Sequence, residues 1–192
     1  TMNHIRTAEE AINPRVLKPG SVIYSAGNAS TPQVLLRQLA RDAEIKDVTL
    51  YSILLLGEQL EPLFSQERCH DLTHRIIFNS HLSREAANLG WAKYHPLHLA
   101  EVPRHMGRPG GPDVVFLTVS GPDTGGNYSL GTTVEALPAA IRSARRRGGC
   151  VIAERNARMP FVLGTTIPAE AIDFLLDTDY PLPSSPVPRP DE

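Results

Sequence analysis

The run Asp113–Val119 (DVVFLTV) is a continuous apolar stretch bounded by Asp113 and Ser120. A strand with one wet face alternates apolar and polar residues, so an unbroken run asks for burial on both faces. That need is met most simply inside a parallel sheet covered by helices. The other predicted strands agree. Ser21–Ser25, Val48–Leu56, Arg75–Asn79, Cys150–Glu154 and Ile172–Asp177 are short and apolar, and Tyr94–Leu99 reads as extended.

Helical segments separate these strands. Thr31 before Pro32 is a start signal, and the segment Pro32–Asp42 carries Val34, Leu35 and Leu39 on one stripe. Ser83 opens a helix to about Leu89, with Gly90 as its stop. A short helical segment opens at Ala100 and ends near Gly107. A longer one runs over Val134–Arg147, where Pro138 either kinks it or resets its start, and Gly148-Gly149 ends it. Residues Thr1–Lys18 read as a leading helix or arm before a turn at Pro19-Gly20. The alternation predicts an α/β domain with a largely parallel sheet flanked by helices.

A chain of 192 residues that is 41% hydrophobic can bury one substantial core. We take residues 1–183 as that domain. Residues 184–192 read as a Pro-rich tail, since Pro181–Glu192 holds five prolines in twelve residues. With 19 basic and 21 acidic residues the formal net charge is -2, which gives no electrostatic case for nucleic acid or a membrane surface as partner. The first ten residues lack the apolar core of a signal peptide, and the apolar stretch Ile53–Gly57 is too short to span a bilayer. We expect a soluble, cytoplasmic protein, and the Arg and Pro content suggests a bacterial source. Cys69 and Cys150 are then expected as free thiols.

Ligands of parallel sheets sit at the carboxyl ends of the strands. Two Gly-containing loops follow predicted strands and can converge there. The loop Ala26–Ser30, ahead of Pro32, joins a strand to a helix start, where free N–H groups can hold a carboxylate, a phosphate or an oxyanion. An ordinary tight βα connection is the simpler explanation, since a loop with a single Gly is a weak motif. The loop Ser120–Gly131 packs four glycines, a proline and four hydroxyl residues together. It either approaches a ligand closely or is a solvated turn. His95 and His98 lack a third partner for a metal, so hydrogen-bonded structural histidines are expected and no metal site is assigned. Arg142, Arg145, Arg146 and Arg147 complement a helix C-terminus. Of the carboxylates near the loops, Glu101, Asp123, Glu135 and Glu154, the last ends a buried strand and is read as a structural partner. No Ser-His-Asp signature and no phosphate-binding P-loop is present.

Four segments in order carry a resemblance: Ser25–Leu39, Arg75–Met106, Asp113–Ala136 and Val151–Pro183. Together they resemble the amino-terminal domain of the acetyl-CoA hydrolase/transferase family, which includes 4-hydroxybutyrate, butyrate and succinyl-CoA:acetate CoA-transferases. The resemblance implies one α/β half of a two-domain CoA-transferase. It implies a glutamate in a carboxy-terminal half that attacks acyl-CoA and forms a glutamyl-CoA thioester. It therefore implies no catalytic residue in this chain, inactivity of the chain alone, and no permanent cofactor, with coenzyme A or acyl-CoA as substrate. Its partner would be the carboxy-terminal half, from the same gene or a separate subunit, in a homo-oligomer when complete. The match carries Gly27, Asn28, Ala29 and Pro32 as one cleft loop, and Ser129 and Gly131 as the second. The sequence departs from the family pattern at Phe161–Gly164, at Gly121 and at Arg155. A non-catalytic binding or assembly domain and an acyl-CoA hydrolase are the alternatives, and an exposed apolar face for the second half is expected.

Overall fold

The structure is a computed structural model that describes residues 1–186. Eight strands form one parallel sheet. In chain order they are β1 (Asn3–Ile5), β2 (Val22–Ser25), β3 (Val48–Ser52), β4 (Leu72–Ile76), β5 (Lys93–Tyr94), β6 (Val114–Val119), β8 (Cys150–Asn156) and β10 (Phe174–Thr178). Their spatial order is β1-β10-β8-β6-β2-β3-β4-β5, with every pairing parallel. A separate antiparallel pair joins β7 (Asn127–Ser129) to β9 (Thr166–Pro168).

β6 lies in the middle of the sheet and is buried along its whole length. Its side chains divide between two cores. Val114 and Phe116 pack on the face covered by α1 (Gln33–Arg41) and α2 (Arg84–Asn88). Val115, Leu117 and Val119 pack on the face covered by α3 (Val102–Gly107) and α4 (Leu137–Arg146). This two-sided burial is the physical reason for the unbroken apolar run. Truncating Phe116 to Ala would cost about 3–5 kcal/mol.

Several boundaries differ from expectation. The leading segment is an arm rather than one helix: Asn3–Ile5 adds a strand beside β10, where open ladder groups accept it, and Ala8–Glu10 forms a single 3-10 turn. β3 ends at Ser52 rather than Leu56, because its last residues leave the sheet to meet the loop after β2. β4 begins at Leu72 and stops at Ile76, and only Tyr94 of the extended segment joins the sheet. Pro138 stands in the first turn of α4, so it sets the helix start. Gly90 adopts φ +80 after α2, as a C-terminal stop requires. The Ser120–Gly131 loop contains β7, a strand hidden from a local reading because its partner β9 is remote in sequence. Residues 181–186 carry no helix or strand, and the rest of the Pro-rich tail lies outside the described residues.

The start of α1 corrects the expected cap. Thr31 does not bond the helix N–H groups; its hydroxyl donates to the Asn28 carbonyl at 2.7 Å and accepts the Leu56 N–H at 3.2 Å. The first-turn donors go instead to remote side chains. Glu154 Oε2 accepts from Val34 N at 2.9 Å and Leu35 N at 3.1 Å, and the Tyr180 hydroxyl accepts from Gln33 N at 3.1 Å. The anion that this helix N-terminus holds is thus a carboxylate of the chain itself.

Candidate functional site

The loop after β2 is locked against two neighbours. Asn28 N donates to the Leu54 carbonyl at 2.7 Å. A Cβ on Gly27 would stand 2.8 Å from that same oxygen, so the close approach requires glycine. Asn28 adopts φ +51, a left-handed conformation that asparagine tolerates better than most residues. Its side chain then points at Glu135, donating from Nδ2 to Oε1 at 2.9 Å.

Glu135 is the hub of this corner. It too has a positive φ, at +49. Its Oε2 accepts the Tyr24 hydroxyl at 3.1 Å, and that hydroxyl accepts the Ala136 N–H at 3.3 Å. Burial pushes the carboxyl above its usual range, opposed by the donors from Asn28, Tyr24 and the Gly27 backbone. A second link joins the two loops, from Thr133 N to Ser30 Oγ at 3.2 Å. Both links come from Thr133 and Glu135, which follow the Ser120–Gly131 loop rather than belong to it.

Asn28 and Glu135 sit at the polar end of an apolar cleft of about 670 Å³ walled by Ile53, Leu54, Phe78, Leu99, Val102 and Pro103. It opens at the carboxyl ends of β2, β3 and β4, where parallel sheets place ligands. Phe78 and Leu99 remain 37% and 57% exposed on its rim, although both are large and apolar. A second cleft of about 620 Å³ adjoins it, lined by Ala29, Gly57, His81 and Thr132 and by Pro183–Ser185. Asn28 and Thr133 border both.

The six expected positions do different things. Gly27 packs against the Leu54 carbonyl, Asn28 borders both clefts and Ala29 borders the second. Pro32 is buried at the start of α1. Ser129 is fully buried; its Oγ donates to Val162 O at 2.9 Å and accepts Val162 N at 3.0 Å and Gly131 N at 3.1 Å. Gly131 has φ +74, and a Cβ there would lie 2.5 Å from Met159 Sδ. These two residues pin the Met159–Thr165 tongue, whose tip carries Leu163, 87% exposed.

Other singled-out groups have structural partners. Arg145 pairs with Asp173 at 2.9 Å, Arg146 donates to Gly107 O at 2.6 Å, and Arg147 donates to Gly111 O. His95 meets His105 and Tyr51 rather than His98. Among the described residues, no group of three or more His, Cys, Asp or Glu side chains is placed to hold a metal ion. None of their helices is long and apolar enough to cross a membrane. Sequence reasoning named Glu135 without a role and missed the apolar walls, which belong to three separate segments.

The profile of the acetyl-CoA hydrolase/transferase N-terminal domain matches residues 2–183. The chain belongs to this family. The acetyl-CoA hydrolase/transferase domain is 29% identical over 156 residues to the succinyl-CoA:acetate/propanoyl-CoA:succinate CoA transferase of Fasciola hepatica, covering 77% of this chain and 30% of that protein. It is 35% identical over 111 residues to the 4-hydroxybutyrate coenzyme A transferase of Clostridium kluyveri, covering 57% of this chain and 25% of that one. RipA from Yersinia pestis superposes with a TM-score of 0.85 at 25% identity, over 98% of this chain and 45% of that chain. The chain thus spans less than half the length of these relatives. The sheet is the fold seen in CoA-transferase structures.

Proposed function

We propose that this domain forms one wall of an acyl-CoA:carboxylate CoA-transferase site, completed by a second half that supplies a nucleophilic glutamate. The observation that carries the reading is the apolar cleft at the strand ends with Asn28 and Glu135 at its polar end, inside a domain of this family. In the proposed reaction the glutamate carboxylate attacks the thioester carbonyl and CoA leaves as thiolate, giving a mixed anhydride. The thiolate then attacks the glutamyl carbonyl, releasing the first carboxylate and forming the glutamyl-CoA thioester. An incoming carboxylate reverses these steps and takes CoA away.

The chain's own residues support this in three ways. Ile53, Leu54, Phe78 and Val102 exclude water from the anhydride and thioester, both of which water would destroy. The Asn28 carboxamide, fixed by Glu135, offers a polar contact at the cleft mouth. The exposed Phe78, Leu99 and Leu163 provide apolar surface for the second half and for assembly of the complete enzyme. Water exclusion favours transfer over hydrolysis.

Label exchange between acetate and acyl-CoA tests the reading. The chain alone should show no turnover, and mixing it with its second half should restore exchange that depends on added carboxylate. Robust transfer by the chain alone would sink the proposal. CoA release independent of carboxylate would favour the hydrolase.

A further inference from the structure

Along the same sheet face, beyond the apolar cleft, lies a group of basic side chains with no carboxylate among them. Tyr51 of β3, Arg75 of β4 and Lys93 of β5 stand side by side in register. His95 follows β5 and His105 projects from α3. The two imidazoles lie 4.9 Å apart, each 5.7 Å from the Tyr51 ring. Arg108 reaches back to His105 Nε2 at 3.1 Å. Because a guanidinium only donates, that contact makes His105 Nε2 the acceptor and leaves its Nδ1 as the N–H donor.

Every charge acting on these imidazoles is positive. Burial first, then Arg75 and Arg108, hold His95 below the usual imidazole range. Burial, Arg108, His95 and Arg75 do the same to His105. None of the six ion pairs among the described residues involves Arg75, Lys93, His95, His105 or Arg108. Arg145, Arg155 and Arg158, by contrast, each pair with an aspartate. Arg75 and Arg108, with no carboxylate beside them, keep the local potential positive, and the two imidazoles packed on Tyr51 are held neutral within it. An anion would offset that potential.

We infer that Arg75, His95, His105 and Arg108 form a binding site for a phosphate group. Arginine forks and imidazole N–H groups suit phosphate oxygens; Arg75, His95 and His105 are partly buried, which strengthens such contacts relative to open surface, and Arg108 is exposed beside them. The site is one strand repeat from the cleft along β3, since Tyr51 belongs to it and Ile53 to the cleft, roughly 7 Å apart. It is also less than one turn away along α3, which contributes Val102 and Pro103 to the cleft and His105 to the basic group. A phosphate ester with an uncharged arm fits this pairing of charge and apolar groove. The transferase reading enters only in the choice of CoA as a probe.

Histidine-selective NMR on the chain, in phosphate-free buffer, tests the site. His95→Gln and His105→Gln assign the two resonances, and His4 and His70 serve as internal controls. Inorganic phosphate, 3′-phosphoadenosine 5′-phosphate and CoA should each raise the titration midpoints of His95 and His105, and pantetheine, which lacks phosphate, should not. Binding should tighten as pH falls through the imidazole range. Arg75→Gln and Arg108→Gln should each weaken binding roughly tenfold, the scale of one charge-assisted hydrogen bond, while Arg142→Gln on α4 should leave it unchanged. CoA binding far tighter than phosphate identifies a CoA ester as the natural source; equal affinity points to a free phosphate. Unmoved histidine midpoints, or equal loss with Arg142→Gln, overturn the site. Phosphate binding that persists when the two-half enzyme transfers no CoA leaves the site standing and removes only the transferase reading.

Discussion

Glu154 Oε2 lies 2.9 Å from the backbone nitrogen of Val34, so a buried carboxylate from the middle of the sheet caps a helix 120 residues away in sequence. Its other oxygen accepts the Tyr180 hydroxyl at 2.6 Å. The three partners bind the chain's last strand region, its central sheet and its first long helix to one side chain.

Burial raises Glu154 from 4.5 to about 6, against the lowering effect of Tyr180, Leu35 and Val34. A carboxyl whose folded value is raised holds its proton more tightly in the folded state. Its contribution is full below the unfolded value and fades as pH rises through about 6. The shift corresponds to ~2 kcal/mol. Glu154→Gln should remove this slope between pH 4.5 and 6.5, seen as urea stability compared with the parent across that range. Glu154→Ala should cost about 3 kcal/mol near pH 4.5 and less as pH rises through 6, because it orphans three donors and opens a cavity but also removes the titration.

His74 behaves in the opposite sense. It is fully buried in β4, with Nε2 2.7 Å from Ser52 Oγ and its ring stacked on Phe64 at 4.9 Å. Burial lowers it to about 3, and Nδ1 has no partner among the described residues. The folded state therefore resists protonation. Its contribution holds above 6.5 and falls by about 1.4 kcal/mol per pH unit below that, down to about 3. His74→Phe keeps the stack and should move the acid-unfolding midpoint, followed by circular dichroism, to lower pH. An unmoved midpoint would show that another group governs acid unfolding.

Tyr24, Asn28 and Glu135 should act as a unit. Tyr24→Phe leaves the Ala136 N–H without its acceptor and removes one donor from Glu135. Each single change, including Asn28→Ala and Glu135→Gln, should cost about 1–3 kcal/mol. The Tyr24→Phe/Glu135→Gln double mutant should cost less than the sum by about 0.5–3 kcal/mol. Additive losses would mean that the contacts are independent.

Cys69 and Cys150 are free, and both are partly buried. Burial, with Asp173 and Asp113 nearby, pushes the Cys150 thiol up to about 12. Thiol titration should count two groups after denaturation, and Cys150 should react slowly in the native protein at pH 8. Finding no thiol would mean a disulfide.

How far the sequence revealed the molecule depended on the range of the interactions. β6 announced itself because two-sided burial writes an unbroken apolar run, and Gly90 because a helix stop needs a positive φ. β1 did not, since Asn3–Ile5 carries no pattern and exists only because β10 offers a free edge. Gly27-Asn28 was legible as a loop joining a strand to a helix start, but the positive φ of Asn28 was not. The Asn28–Glu135 contact spans 107 residues, and nothing local marks Glu135 as its anchor. Thr31 was misread as a cap for the same reason: a carboxylate from β8 takes over that task.

Asn28 and Thr133 form a party wall between the two clefts. Compartments divided by the same two side chains are not free to change size one at a time. A larger residue at either position intrudes on both, and a smaller one merges them. An engineer seeking to reshape either cleft should therefore work from the outer walls, at Phe78, Leu99 or His81, and leave the partition alone. The same constraint would bias natural variation in this chain toward the far sides of the two compartments.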